Sequence, residues 1–261
     1  MQCEFLNYEI KGKTAIISIN RPKVYNALSK AAKHEIVQAI KQANKDSHVL
    51  SIILTGVGKA FSTGQDLNDR TVNAGAGAVD LGITLETEWN PLVNTIRNSP
   101  KIVIAAINGV VAGAGLSVAL ACDLLTAAPG VQFISGFSKL GLTCDAGSTY
   151  TLTRALGGHK ALEFFLTNDP LSAEELQHAG VISQVDENFL DCALKLAAKI
   201  NCAGPLAVPM IKKNIQQSME STYKESMAKE TAGQRFLGNS NDYQEGLKAF
   251  FEKRPANFKG L

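Results

Sequence analysis

Between Gly141 and Gly157 the chain reads GLTCDAGSTYTLTRALG, and its one carboxylate, Asp145, stands beside a thiol just ahead of a helical pattern. An aspartate at such a point has two uses. Its side chain can cap a helix or close a turn by accepting backbone N–H groups. It can also carry a proton between carbon atoms, because a carboxylate with an ordinary pKa of about 3.9 is a base at neutral pH. An apolar pocket, which Phe137, Leu142 and Cys144 nearby are expected to supply, would raise that value and ease the return transfer. Two further stretches hold groups that such chemistry needs. KAFSTGQDLNDR (Lys59–Arg70) sets Gly64 before Gln65, so the backbone can turn and aim the next N–H outward, as one arm of an oxyanion hole requires. An ordinary strand-to-loop turn has the same letters. INGVVAGAGLSVALACD (Ile107–Asp123) passes from a strand-like to a helical pattern through Gly113, Ala114 and Gly115. Small residues at a helix start let N–H groups approach an anion, and they equally serve close helix packing.

Behind these stretches stand the elements that must position them. TAIISIN (Thr14–Asn20), LSIILTG (Leu50–Gly56) and KIVIAAING (Lys101–Gly109) are short β-branched apolar runs closed by turn residues, the pattern of buried strands. Ser29 is placed to cap a helix whose apolar positions Ala32, Ile36, Ala39, Ile40 and Ala43 share one face. Strands alternating with helices make an α/β chain. NAGAGAVDLG (Asn73–Gly82) reads as a Gly- and Ala-rich mobile loop. Strand patterns stop near residue 185, and the remainder is helical. The expected organisation is an α/β core over 1–195 carrying the site and a helical region over 196–261.

The composition narrows the function. The chain has 261 residues, 45% hydrophobic and 19% charged, with a net charge of +2. That supports a substantial core and argues against a dedicated nucleic-acid binder. Five cysteines form no CxxC pair and the four histidines lie far from them, so no metal site is expected. The spacing around Gly113 is not that of a P-loop or a GxGxxG turn. No apolar run reaches the length of a membrane span, and a soluble, cytoplasmic protein is expected.

Taken together, NRPKVYNAL (Asn20–Leu28), AFSTGQDL (Ala60–Leu67), INGVVAGAGLSVALACD, SAEELQHAGVISQV (Ser172–Val185) and EGLKAFFEKRPANFKG resemble, in order, the crotonase (enoyl-CoA hydratase/isomerase) superfamily. GQDLNDR, VDLGITLETEWNPLV, FSKLGLTCDAGSTYTLTRALG and SNDYQEGLKAFFEKR look most like its branch of 1,2-epoxyphenylacetyl-CoA isomerases. The resemblance implies a spiral of ββα units with a C-terminal helical trimerisation region, assembled as a homotrimer or a dimer of trimers. It implies an acyl-CoA thioester substrate and no separate cofactor, since coenzyme A is part of the substrate.

Residue by residue, the resemblance makes the backbone N–H groups of Gln65 and Ala114 the oxyanion-hole donors. It places CoA recognition at Lys23, Val24, Asp66, Leu67 and Asn68, with Phe250 and Lys253 reaching a neighbouring subunit's site. The two glutamates of enoyl-CoA hydratases fall on Ser117 and Phe137 here, so hydration is doubtful. Asp145 falls where isomerases of the family place a single acid. Trp89, Phe137 and Tyr150 are candidates to line an acyl pocket, or simply core aromatics. Asp66 and Asp69 are rival acids, and Cys144 a rival nucleophile better read as a structural thiol.

The resulting expectation is an isomerase of epoxyphenylacetyl-CoA to oxepin-CoA, with an isomerase of 3-enoyl to 2-enoyl thioesters or an enoyl-CoA hydratase-like enzyme of fatty-acid β-oxidation as the alternative. Two readings from other classes stand beside it. Lys30, Lys33, Lys41 and Lys45 lie within about 120° on one helix face, as in RNA-binding relatives or on any solvated face. A catalytically idle protein that binds CoA thioesters is the third.

Overall fold

The computed structural model describes residues 3–69 and 80–261. Its strands, in chain order, are β1 (Leu6–Lys11), β2 (Thr14–Ile19), β3 (Ser51–Gly56), β4 (Ala60–Ser62) and β5 (Ile102–Ile107). There follow β6 (Val110–Ala112), β7 (Leu124–Ala127), β8 (Gln132–Ile134), β9 (Leu171–Ser172) and β10 (Gln184–Val185). The helices are α1 (Lys30–Lys45), α2 (Leu81–Thr84), α3 (Asn90–Arg97), α4 (Ala114–Ala121), α5 (Ser148–Leu156) and α6 (Gly158–Thr167). After them come α7 (Ala173–His178), α8 (Phe189–Ile200), α9 (Ala207–Ser218), α10 (Tyr223–Leu237) and α11 (Asn241–Glu252).

The larger sheet runs β1-β2-β3-β5-β7-β10, antiparallel only at the β1–β2 hairpin and parallel elsewhere. Parallel sheets are covered on both faces, which is why its strands read as continuous apolar runs. Ala15, Ile17, Ile19, Ile52, Leu54, Val103, Ala105 and Ile107 join the main core with α1 and α4. The alternate residues Ile16, Ile53, Ile104 and Ala106 pack against Ala193 and Ala197 of α8. The division expected at 195/196 therefore cuts through α8, the helix that covers the outer face of the sheet.

A second sheet, β4-β6-β8-β9, is built from strands of two or three residues. β3 leads to β4 and β5 leads to β6, so each strand pair delivers a loop to one edge. There Gly64 follows β4 and Gly113 follows β6. The expected α/β class and the helical C-terminal region are both present.

α1 begins at Ser29, whose hydroxyl accepts the Ala32 N–H at 3.2 Å, and it buries Ala32, Ile36, Ala39, Ile40 and Ala43 as expected. The loop expected over Asn73–Gly82 falls on residues 73–79, outside the described residues, and then gives way to helix. Asp80 caps α2 by accepting the Gly82 N–H at 2.8 Å, so Leu81 and Gly82 are helical, a correction due to that capping carboxylate. α2 continues through a π-helical turn, Leu85–Trp89, into α3.

At the C-terminal end, α9 packs on α10 and β5. Lys212 of α9 reaches into the core, 2.7 Å from Asp123 and 3.4 Å from the carbonyls of Ile96 and Lys101. No helix among the described residues is long and apolar enough to cross a membrane.

Candidate active site

The site begins with a pinned peptide. Gly64, at φ +86°, turns the chain out of β4. Its carbonyl accepts the Leu28 N–H at 2.7 Å, and the Leu28 carbonyl accepts the Asp66 N–H at 3.2 Å. In a trans peptide the C=O and N–H point opposite ways, so pinning the Gly64 oxygen on Leu28 aims the Gln65 N–H away from it. Leu28 is held by the loop before it. There Asn26, fully buried at φ +56°, donates to the carbonyls of Val57 and Ala60 at 3.0 and 2.6 Å and accepts the Arg21 N–H at 2.8 Å.

Opposite stands the start of α4. Gly113, at φ +53°, forms the N-cap, and Ala114 and Gly115 open a helix whose every residue is buried. A Cβ on Gly64 would lie 2.8 Å from the Ala114 nitrogen, and one on Gly115 only 2.4 Å from the Ser62 carbonyl oxygen. The glycines are thus required by backbone contact between the two loops. The N–H groups of Gln65 and Ala114 donate to no group among the described residues. Two main-chain donors so placed, one at a helix N-terminus, suit a developing oxyanion.

Asp145 meets α4 one turn further along. Ser117, one turn into the helix and 1% exposed, places its hydroxyl 3.0 Å from both the Asp145 carbonyl and Oδ1. Asp145 does not cap α5 with its side chain: the N-cap is Gly147, uncapped by any side chain, and it is the Asp145 carbonyl that accepts the Ser148 N–H and hydroxyl. The Ser117 hydroxyl stands beside the half-buried carboxylate. Next to it, burial pushes the Cys144 thiol up, and the Asp145 charge adds to the rise. A thiol held protonated is a poor nucleophile.

The other sequence candidates fall into three groups. Lys23 and Val24 lie on the exposed turn Pro22–Val24, and Leu67 and Asn68 on the exposed turn Leu67–Asp69. Arg21 joins the two turns by an ion pair of 2.8 Å to Asp66, which also accepts the Asn68 N–H at 3.1 Å. Asp69 accepts the Lys30 N–H at 2.6 Å, at the start of α1. Both rival acids are engaged in holding loops.

Phe137 is buried, 7% exposed, ahead of the turn that leads to Asp145. Trp89 is a core residue at 1% exposed. Tyr150 lines a cavity of about 410 Å³ with Arg97, Ser117, Gly147 and Glu220. Phe250, 77% exposed, and Lys253 sit at the end of α11, and no described contact brings them to Gln65 or Asp145 within one chain.

One expectation is overturned. Lys33, grouped with Lys30, Lys41 and Lys45 on a solvated face, is 2% exposed and turns inward to Glu88, 2.5 Å away, and to Gln65. The other three lysines are exposed, so the stripe loses a member and its density. Its position is the physical reason: at about 100° per residue Lys33 lies only about 20° from Ile40, at the border of the apolar stripe. That proximity is the signal that could have flagged it. The roles of Leu28 and Asn26 carried no local signal, because their partners lie more than thirty residues away. Among the described residues no group of three or more His, Cys, Asp or Glu side chains could hold a metal ion.

Known proteins are similar to this chain along nearly its whole length. Residues 9–261 match the family enoyl-CoA hydratase/isomerase. The 1,2-epoxyphenylacetyl-CoA isomerase of Escherichia coli (strain K12) is 37% identical over 259 residues, covering 98% of this chain and 99% of that protein. A probable enoyl-CoA hydratase of Rhodobacter capsulatus is 36% identical, with 100% of both chains covered. The crystal structure of an enoyl-CoA hydratase from Polaromonas sp. JS666 superposes with a TM-score of 0.92 at 29% identity, over 97% of this chain and 99% of that one. With the fold and nearly the whole sequence in agreement, the chain belongs to the enoyl-CoA hydratase/isomerase family, of the crotonase superfamily.

Proposed function

We propose that the protein is a CoA-thioester isomerase in which Asp145 moves a proton α to the thioester carbonyl while the N–H groups of Gln65 and Ala114 hold the oxygen as it gains charge. The observation that carries this is the 3.0 Å contact from the Ser117 hydroxyl to Asp145 Oδ1. The first hydratase glutamate position is occupied by a serine, which orients the one remaining carboxylate. The second is the buried Phe137. Water addition needs a base for the water and an acid for the α-carbon, whereas a single carboxylate can lift a proton and return it elsewhere.

The oxyanion hole lowers the barrier by fixed dipoles that need no reorganisation as charge develops. The resemblance to the 37% identical isomerase supports 1,2-epoxyphenylacetyl-CoA as substrate and oxepin-CoA as product. A shift of 3-enoyl to 2-enoyl thioesters uses the same groups and is the second reading. It is favoured by the generic proton transfer and by a relative named trans-2-decenoyl-[acyl-carrier-protein] isomerase.

In this proposal Lys23, Val24, Leu67 and Asn68 present one edge to coenzyme A, Asp66 fixes that edge through Arg21, and Phe137 borders the acyl group. Phe250 and Lys253 reach a neighbouring subunit's CoA, which makes a homotrimer or a dimer of trimers part of the site. Coenzyme A belongs to the substrate, and the chemistry calls for no further cofactor. The enzyme would work in the cytoplasm.

The test is Asp145→Asn, assayed for isomerisation and for hydration. Isomerase turnover should fall by at least the roughly 100-fold typical of a lost general acid–base group, with little hydratase activity in either protein. Undiminished isomerisation would remove Asp145 from the mechanism.

A further inference from the structure

The side chain of Gln65 is held at both of its polar atoms. Its Oε1 accepts from Lys33 Nζ at 3.0 Å and from Trp89 Nε1 at 3.1 Å, and its Nε2 donates to the Asp66 carbonyl at 3.0 Å. Lys33 lies 2.5 Å from Glu88 Oε2 and 4.5 Å from the centre of the Trp89 ring. Glu88 and Trp89 are consecutive residues of the π-helical turn between α2 and α3. Single π turns are uncommon and gather at functional sites.

This cluster is expensive to build. A buried ammonium is tolerated only when it is paired and hydrogen-bonded, and the neighbours of Lys33 on α1 are the apolar Ala32, Ile36 and Ile40. A leucine or methionine would cover that stripe without a desolvated charge. What the lysine adds is a three-way tie among α1, the Leu85–Trp89 turn and the residue after Gly64.

The tie adds to the hold that Leu28 already has on this peptide. The reactive N–H of Gln65 belongs to the peptide that begins at Gly64, and glycine has more conformational freedom than any other residue. Leu28 fixes the flanking peptides, while rotation about the Gln65 backbone is restrained by what grips its side chain. We propose that Lys33, Glu88 and Trp89 are positioning residues that clamp Gln65 and thereby keep its main-chain N–H aimed at the thioester oxygen. This rests on the oxyanion-hole reading given above. None of the three touches the reacting atoms, and they act through Gln65 alone.

The experiment compares the unaltered protein with Lys33→Met, Glu88→Gln, Trp89→Phe and Lys33→Arg. Each is assayed for kcat and KM and titrated with a dimethylaminocinnamoyl-CoA, whose absorption moves to longer wavelength when its carbonyl is polarised. Displacing an oxyanion donor by about 1 Å costs on the order of 100-fold, so Lys33→Met and Glu88→Gln should lose about 10- to 100-fold in kcat. KM should stay nearly constant, and the absorption shift should shrink in step with kcat. Trp89→Phe, which deletes one donor and leaves a smaller aromatic ring, should lose less. Lys33→Arg should recover much of both signals.

If Lys33→Met does not fold, the near-isosteric Glu88→Gln decides. Variants that keep both the full shift and the full kcat, or that raise KM alone, overturn the positioning role. An unaltered protein that leaves the bound probe unshifted overturns the oxyanion-hole reading itself, a separate failure.

Discussion

The Ser117 hydroxyl stands 3.0 Å from Asp145 Oδ1 and the same distance from the Asp145 carbonyl oxygen, so one buried side chain fixes both ends of the aspartate. A hydroxyl has a single proton to donate, and sharing it between these two acceptors sets where the carboxylate can swing. Hydrogen bonds to charged groups contribute about 1.5–3 kcal/mol. Ser117→Ala should therefore lower isomerase kcat by roughly 10- to 100-fold with a small change in KM. Ser117→Glu restores a carboxylate at the first hydratase position and sets it against Asp145; like charges so close raise the pKa of one of the pair. Its acid limb in a kcat–pH profile should move upward. A Ser117→Ala enzyme with unaltered kcat would show that the contact plays no part in turnover.

Gly64 leaves room for nothing larger. Its φ of +86° is unfavourable for any side chain, and an added Cβ would meet the Ala114 nitrogen at 2.8 Å. Gly64→Ala should cost about 1–3 kcal/mol in stability, the scale of a strained backbone site. It should also lower kcat by about 100- to 1,000-fold, the scale of a lost oxyanion donor. Thermal unfolding and steady-state kinetics on the same preparation separate the two effects. A variant that loses stability alone would place the reacting oxygen elsewhere.

Much of this was legible in the sequence, and the gaps have physical causes. The runs Thr14–Asn20, Leu50–Gly56 and Lys101–Gly109 became β2, β3 and β5 because strands buried on both faces are apolar throughout. Ser29 and the stripe from Ala32 to Ala43 located α1 by local capping and period alone. The second sheet carried no such signal, since a strand of two or three residues is too short to show a period. At the site, Gly64 and Gly113 were legible because glycine reports backbone geometry. Lys33 was not: its partners Gln65, Glu88 and Trp89 are brought to it only by the tertiary fold, and a lysine at the margin of an apolar stripe reads as solvated until they are seen. Asp145 could have been a cap by sequence, and only the structure shows that Gly147 takes the N-cap and that no side chain caps the helix.

Cys144 provides a check on the acid–base reading. Burial and the neighbouring Asp145 charge both push its thiol up, so little thiolate exists at neutral pH. Cys144→Ser should leave kcat within about threefold, the scale of a small change outside the reacting groups, and alkylation of the unaltered thiol should be slow. Loss of activity comparable to that of Asp145→Asn would instead make the thiol a participant.

The C-terminal tail offers a pH dependence with a definite sign. Arg254 forks onto both oxygens of Glu245, at 2.6 and 3.0 Å, and the Asn257 N–H adds a third contact at 2.7 Å. Bonds from Arg254 first, and Asn257 second, hold the Glu245 carboxyl at about 2, below its ordinary 4.5. A folded value below the unfolded one means that the unfolded chain takes up the proton first. The stabilisation is then complete above about 4.5 and is lost as the pH falls from there through about 2. The unaltered protein should melt above Glu245→Gln by a constant margin near neutral pH, and that margin should narrow steadily once the pH drops below about 4.5. Because the pair is partly exposed, salt should narrow it as well. A margin that widens on acidification contradicts the Arg254 fork as its source.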